Sequence, residues 1–411
     1  MPKPTVLITG ARAPAALEWA RQFAAAGWRV LAGDSMPRPL ASWSRAVERT
    51  FRTPPARQEP VCFVRAVSDI CQNESVELVM PVCEEIFELS RGASQLPEGT
   101  RLWADSFGRL GKLHDKSAFI TLAGRLGLPV PETHLITRAD EVRALKGGWF
   151  LKPSFSRFAS EGRPWTGELG GAFSQDETWL GHQEISPLRP WVAQEFLAGH
   201  GWCAYAMAEA GRVLALVCYP VEWTAGAGAC VAFSAQSYPE VESWVQRFVK
   251  SAVLTGQMAF DFIDVPGRGV LPLECNPRAT SGIHLLPQAA QILSRAWGRA
   301  SDGDGPMRPT APIRYFASGP ADASAMLSVP MLLYGLPQAV RRGTAAEWLR
   351  TWRTARDATS APGDAAPAWL GNAWTLAWFA KEARRLRCSL TAATTADLEW
   401  NGDSNMSSSP E

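Results

Sequence analysis

The sequence predicts a mixed α/β and α+β protein. It begins with an open parallel α/β domain, continues in a larger region built on antiparallel hairpins, and ends in a C-terminal region of one strand and mostly helix. Three observations lead there. An apolar run at residues 5–10, an Ala-rich helical stretch and a second apolar run at 30–33 form a β-α-β pattern. From residue 191 onward, alternating runs meet at Ala-Gly and Pro-Gly-Arg-Gly turns, which reads as hairpins. Helical periods return at 345–356 and 371–388. A length of 411 residues suits two or three domains.

The first strand, Thr-Val-Leu-Ile-Thr, ends at Gly10. Ala11–Ala26 carries Leu17 and Phe23 on an apolar stripe, and Gly27 fits a helix stop. Val30–Gly33 ends just before Asp34, about where a dinucleotide-binding acid would stand, but Gly10-Ala-Arg-Ala-Pro-Ala lacks the G-x-G-x-x-G spacing. A nicotinamide-dependent redox enzyme is therefore not expected. Leu78–Val82 is a further strand, leading into Cys83-Glu84-Glu85, and Arg101–Ala104 is the last strand of a domain over residues 1–106.

Composition excludes several classes. Lys plus Arg number 41 against 40 Asp plus Glu, a net charge of +1, so no bulk electrostatic case exists for nucleic acid or an anionic membrane. The eight Cys form no C-x-x-C pair, and the five His do not cluster with them, which argues against a zinc site or a disulfide framework. Neither a signal-peptide core nor a membrane-length apolar run is evident, and a reduced cytoplasmic compartment is expected.

His114-Asp115-Lys116 opens the next helix, with Asp115 as its cap, running to about Leu126 before Gly127-Leu-Pro-Val-Pro131. Trp149–Pro153 is a strand bearing Lys152, and an interior strand position is a poor home for an unpaired lysine. The small-residue loop Ser154–Gly162 follows, with Ser154, Ser156 and Arg157, and such a loop can cradle phosphate oxygens. Trp191–Leu197 is a strand leading to Ala198–Gly201, and Cys203–Glu209 and Arg212–Tyr219 form an antiparallel pair about Ala210-Gly211. Gly226–Cys230 reads as a flexible link, and no neighbour marks Cys230 as a nucleophile. Tyr238–Thr255 is helical, with Val241, Trp244, Val245, Phe248 and Val249 on one side.

That helix delivers the chain to Met258–His284, two apolar runs about a Pro266–Gly269 turn. Glu274 and Asn276 look the same way in a strand, and the hairpin brings Asp261 alongside them, with Arg278 two residues further on. Such oxygen-bearing side chains suit Mg²⁺. Ser281 and His284, in the turn beyond, are candidates for contact with substrate or phosphate. Residues 299–311 read as a linker, Ile313–Phe316 as a returning strand with Arg314, and 360–367 as a loop. The tail 404–411 is expected to be disordered, while Leu398-Glu-Trp-Asn-Gly402 looks more deliberate than a tail.

The run Asp261…Glu274-x-Asn276-Pro277-Arg278 resembles the metal-binding end of the ATP-grasp superfamily, in the manner of carbamoyl-phosphate-synthase-like and D-alanine–D-alanine-ligase-like enzymes. Asp115-Lys116 with its helix, Lys152-Pro153 with its loop, and Gln194–Leu197 fall in the family's order, so the resemblance covers roughly residues 110–290. It implies a two-lobed ATP-grasp domain over 107–298, with a small lobe at about 113–190 and a metal-binding lobe at about 191–298. It also implies that Asp261, Glu274 and Asn276 hold two Mg²⁺ ions (Mn²⁺ being an alternative) over the phosphates of ATP. Lys116, Lys152, Ser154 and Ser156 would contact those phosphates, and Gln194, Glu195, Phe196 and Leu197 would read the adenine. Arg278 and Lys152 would serve the transfer itself. Gly201 stands where relatives often carry a ribose-binding Glu, leaving His200 or Glu195 to replace it.

In such enzymes the preceding α/β domain helps bind the carboxylate. Arg12, at a helix N-terminus, is the candidate anion contact there, and Glu84 or Glu85 the candidate for a substrate ammonium. The implied reaction joins a small carboxylate to an amine through an acylphosphate, releasing ADP and phosphate. A thiol or water as acceptor is the alternative, and a nucleotide-binding protein without turnover is a further one. Homodimers are common among relatives.

Overall fold

The computed structural model describes residues 3–156, 162–165, 175–226, 228–297, 317–318 and 323–402. Arg157, the linker 299–311, the expected strand 313–316 with Arg314, and the tail 404–411 lie outside the described residues.

The N-terminal region runs β1 (Thr5–Thr9), α1 (Pro14–Ala25), β2 (Arg29–Asp34), β3 (Arg49–Arg52), α2 (Pro60–Glu74), β4 (Leu78–Met80), α3 (Glu85–Arg91) and β5 (Arg101–Leu102). All five strands are parallel, in the order β3-β2-β1-β4-β5. β1 is buried along its whole length, which is why it reads as a continuous apolar run without alternation. Strand order reverses at β1, so the crevice beyond the C-terminal ends of β1 and β4 is the switch point where open parallel sheets accept ligands. Gly10 turns the chain there at φ +66, and an added Cβ would stand 2.9 Å from Glu85 Oε1.

The helix expected to open at His114-Asp115-Lys116 is α5 (Lys116–Arg125), and a further helix that the sequence reading did not mark, α4 (Phe107–His114), precedes it. Asp115 breaks between them with extended dihedrals and caps α5, accepting from the backbone N–H groups of Ser117 and Ala118. Next come β6 (Thr133–Ile136), α6 (Ala139–Ala144), β7 (Trp149–Pro153), β8 (Arg163–Trp165), α7 (Gln175–Gly181) and β9 (Trp191–Glu195). Their strands make an antiparallel sheet, β6-β9-β7-β8, over a small core that includes Ile136, Val142, Leu151, Trp165 and Trp191.

The chain then builds β10 (His200–Glu209), β11 (Arg212–Pro220), β12 (Trp223–Ala225), β13 (Ala229–Ser234), α8 (Pro239–Ala252), β14 (Gly256–Val265), β15 (Gly269–Asn276), α9 (Ala289–Ala296) and β16 (Ala317–Ser318). The large sheet has the order β15-β14-β10-β11-β16. α8 buries the five apolar residues expected of it, and Trp244 and Phe248 meet Phe119 of α5 and Phe260 of β14 in one aromatic cluster. The stretch expected as a flexible link at Gly226 is instead the turn of the β12–β13 hairpin. Gly226 supplies a positive φ there, and Cys230 is a buried strand residue.

In the C-terminal region β17 (Ser324–Met326) pairs with β13 and β18 (Arg356–Asp357) with β17. Around them lie α10 (Ser328–Pro330), α11 (Leu336–Arg342), α12 (Ala345–Thr354), α13 (Asn372–Leu386) and α14 (Leu390–Ala393). One apolar core runs unbroken from β1, β4 and α1 through Trp103 to Tyr205, Met207, Leu293 and Trp297. Trp103 meets both Trp19 and Trp297 edge to face. Gln257 ties the same seam: its Oε1 accepts from Tyr205 Oη and Trp19 Nε1, and its Nε2 donates to the Pro81 carbonyl.

Candidate active site

The β14–β15 hairpin sets the centre of the site. Its register pairs Asp261 with Glu274 and Ala259 with Asn276, so the two carboxylates oppose each other and the amide follows on the same face. Gly267 and Gly269 make the turn with positive φ. Just past Asp261 the register slips: Phe262 pairs with Pro272, and Leu273 is left over as a β-bulge. The Leu273 carbonyl accepts from Lys152 Nζ at 3.2 Å and Gln194 Nε2 at 3.4 Å. Sequence reasoning missed this contact because it belongs to the backbone. Its one sequence signal is Pro272, which cannot donate to a ladder and so marks irregular pairing.

Two lysines converge on this hairpin. Lys152, on β7, is 6% exposed, and Lys116, the first residue of α5, is 2% exposed. Their ammonium groups lie 3.8 and 3.7 Å from Glu274 Oε2. Lys116 Nζ also donates to the carbonyl and hydroxyl of Ser156, both at 3.1 Å. The Ser154 hydroxyl donates to Asp115 Oδ1 at 2.7 Å, so the α5 cap, Lys116 and the loop after β7 form one bonded unit.

The electrostatics follow from burial and crowding. Burial pulls the Lys152 ammonium down to about 8, against the opposing pull of Glu274. Burial alone would raise Glu274, but Lys116 and Lys152 outweigh it and hold that carboxyl low. Asp261 is driven up, by burial first and then by the Glu274 charge facing it. Cys203 donates to Asp261 Oδ1 at 3.1 Å. Two crowded carboxylates beside an amide oxygen fit a divalent cation, which would relieve their repulsion. Among the described residues no group of three or more His, Cys, Asp and Glu could hold a metal ion. The donor set therefore fits an ion that brings phosphate or water oxygens with it, better than a fully protein-ligated one.

The hairpin lines a cavity of about 550 Å³. At one end stand Phe150, Gln194, Glu195, Phe196, Leu197 and Ile263. The backbone N–H groups of Glu195 and Phe196 are already bonded, to the Glu132 and Gly148 carbonyls, and the Glu195 carboxylate is paired with Arg268. At the other end the cavity reaches the switch point of the parallel sheet, at Ala13, Pro14, Ala15, Val82 and Cys83. Lys152, Ser156, Asp261, Glu274, Asn276, Arg278, Ser281 and His284 line the wall between.

Arg278 Nε donates to Glu84 Oε1 at 3.2 Å and its Nη2 to Asn276 Oδ1 at 3.2 Å, so it enters the cavity wall already oriented. His284 Nδ1 meets Glu18 Oε2 at 3.1 Å, and Arg356 shares that oxygen.

Three expected substrate contacts are placed otherwise. Arg12 does not line the cavity: its guanidinium is clamped between Asp34 and Asp397, and Asp34 also accepts from the Arg12 and Met36 backbone N–H groups. Glu84 is buried, with its oxygens on Arg278 and the Trp400 N–H. Glu85 is buried too, its Oε1 accepting from the Thr9 hydroxyl and the Val82 and Cys83 N–H groups, and burial raises its pKa. The loop after β4 folds inward to close the sheet end, which is why neither acid meets solvent.

No protein-family model matches the chain, and no curated protein matches its sequence. Solved structures do match. N5-carboxyaminoimidazole synthetase from Staphylococcus aureus aligns at 9% identity and TM-score 0.53, over 69% of this chain and 72% of that one. An L-amino acid ligase from Bacillus licheniformis aligns at 14% identity and TM-score 0.52, over 72% of each chain. Biotin carboxylase from Campylobacter jejuni, in a β-γ-ATP complex, aligns at 13% identity and TM-score 0.53, over 72% of this chain and 68% of that one. At such identities the likeness is one of fold, and the shared fold is the one the hairpin, the two lysines and the preceding parallel sheet resemble. The chain has the ATP-grasp fold.

Proposed function

We propose that this protein is an ATP-dependent ligase that joins a small carboxylate to an amine and releases ADP and phosphate. The observation that carries the reading is the convergence of Lys116 and Lys152, from separate elements, at 3.7 and 3.8 Å from a glutamate that itself faces Asp261. Cations and oxygen donors in that proportion suit a triphosphate with its Mg²⁺. The L-amino acid ligase of this fold supports an amine as the acceptor. The MgADP complex of the Hydrogenobacter thermophilus biotin carboxylase domain supports the nucleotide and the ion.

Asp261, Glu274 and Asn276 would hold the ions, two as the resemblance implies, and Mg²⁺ bound there would supply charge neutralisation for the triphosphate. The base would lie between Phe150, Ile263 and the Gln194–Leu197 run, its edge facing carbonyls, since two of the amides there are engaged. A substrate carboxylate oxygen attacks the γ-phosphorus, and the bond to the β,γ-bridging oxygen breaks, leaving acylphosphate and ADP. The amine nitrogen then attacks the acyl carbon, phosphate departs and the amine proton goes to solvent. Lys116, Lys152 and Arg278 stabilise the charge that moves between these oxygens, and no side-chain nucleophile takes part. Residues 1–106 would contribute the carboxylate end, where the cavity meets the switch point.

The test is ADP release measured over a panel of carboxylates crossed with amines and thiols. The proposal expects ADP only when a carboxylate and an amine are both present, and a loss of at least 100-fold in Glu274→Ala at a temperature where its melting curve shows the variant folded. ADP formed only with thiols would move the acceptor class. Nucleotide binding without ADP under any acceptor would reject the ligase reading.

A further inference from the structure

The last described stretch of the chain, residues 397–402, touches the site at one remove from two sides. Asp397 takes the Arg12 guanidinium through both oxygens, at 2.6 and 2.8 Å, and fastens the stretch to the N-terminal domain. Three residues on, Trp400 is 6% exposed. Its ring stacks on Phe87 at 4.3 Å and meets Phe155 at 5.3 Å and Phe107 at 5.6 Å edge to face, with His114 at 6.1 Å. A Cβ added at Gly402 would stand 2.9 Å from the Phe155 ring, so the backbone itself lies against that ring.

These partners are not a remote core. Phe155 lies between Ser154, which bonds the cap of α5, and Ser156, which accepts from Lys116 Nζ. His114 ends the helix just before Lys116. The Trp400 backbone N–H donates to Glu84 Oε2 at 2.9 Å, and the other oxygen of Glu84 orients Arg278. One indole and one backbone N–H thus bear on a lysine from α5 and an arginine from the end of the β14–β15 hairpin.

We propose that residues 397–402 are a positioning element for the phosphate-binding cations, with Trp400 holding the Phe155–Ser156 turn against Lys116 and, through Glu84, the heading of Arg278. This rests on the reading of Lys116 and Arg278 as phosphate contacts. Trp400 does not line the cavity. It fixes where two cations stand, and a misplacement of that kind costs catalysis more than ground-state binding.

The experiment compares wild type, Trp400→Leu, which fills the volume without a stackable plate, and Trp400→Phe, which restores one. Acylation of each lysine in the whole protein is quantified by mass spectrometry, and kcat and KM for MgATP are measured with an acid and amine that the wild type turns over. Expected in Trp400→Leu are at least a fivefold rise in Lys116 labelling with Lys152 unchanged, and a kcat at least tenfold lower with KM within threefold. Trp400→Phe should lie near wild type in both. Lys116 labelling equal to wild type, or rising no more than that of Lys152, overturns the proposal. The labelling arm needs no turnover, so a wild type that forms no ADP rejects the ligase reading and leaves the positioning role to be decided by Lys116 alone.

Discussion

Lys152 carries a charge in a place that water barely reaches. Its ammonium is held by the Leu273 carbonyl and by Glu274, and burial still draws it down to about 8. Removing it takes from Glu274 one of the two ammonium groups that offset its burial: Lys152→Met should lower the melting temperature as well as cut MgATP affinity at least tenfold, measured by thermal melting and calorimetric titration. A second residue-scale prediction concerns pH. Glu18 is buried; burial would raise its pKa, but hydrogen bonding and charge from His284, with help from Arg356, lower it from 4.5 to about 2. A carboxyl depressed on folding stabilises above its unfolded pKa and loses that contribution as pH falls, here from about 4.5 toward 2. The contribution is on the order of 3 kcal/mol. Denaturant midpoints between pH 6 and pH 3.5 should fall more steeply in wild type than in Glu18→Gln. At this scale the sequence was legible where spacing dictates a face: Asp261, Glu274 and Asn276 stand as the period of a strand requires. It was not legible for Arg12, whose second partner, Asp397, lies 385 residues away.

Among the elements, α5 and the β9–β10 connection are each tightly constrained. The Asp115 cap serves two backbone N–H groups and the Ser154 hydroxyl at once. Asp115→Ala should cost about 1–2 kcal/mol, seen as a lower melting temperature, and should lower kcat more than it raises the KM for MgATP, because Lys116 is the next residue. Between β9 and β10, a Cβ on Gly199 would stand 2.1 Å from the Asp264 carbonyl oxygen. Gly199→Ala should destabilise by about 2 kcal/mol or more, read from denaturant unfolding. Strong periodicity made α8 and the β10–β11 pair readable in advance, at nearly their observed limits. Helix α4 was harder to foresee, because Phe-Gly-Arg-Leu-Gly-Lys-Leu-His carries two glycines and reads as a weak helix. The β12–β13 hairpin was hidden for a related reason: a small-residue stretch looks like a link until its partner strand is known.

At the scale of the whole molecule, the parallel sheet and the large antiparallel sheet share one apolar core, with Trp19, Trp103 and Trp297 in contact across it and Gln257 bonded to both sides. An isolated fragment of residues 1–106 would expose that face, so it should fail to give a cooperative melt, while the full chain unfolds with the two sheets coupled. That a parallel sheet precedes the antiparallel ones was readable from the sequence, because each has its own period. Their common core was not, since contacts between residues such as Trp103 and Trp297 leave no local pattern. This joining is what lets a cavity run from the Gln194–Leu197 strand end to the switch point of the first sheet, with the Asp261–Glu274 pair between.

The central claim is that Lys116, Lys152, Asp261 and Glu274 form one site for a magnesium nucleotide. Calorimetric titration of a non-hydrolysable ATP analogue into wild type and Glu274→Gln, with Mg²⁺ and then with a chelator, tests it most directly. The account predicts that chelation weakens wild-type binding at least tenfold and that Glu274→Gln abolishes this dependence on the ion. Equal affinity under all four conditions, or no binding by the wild type, would contradict it.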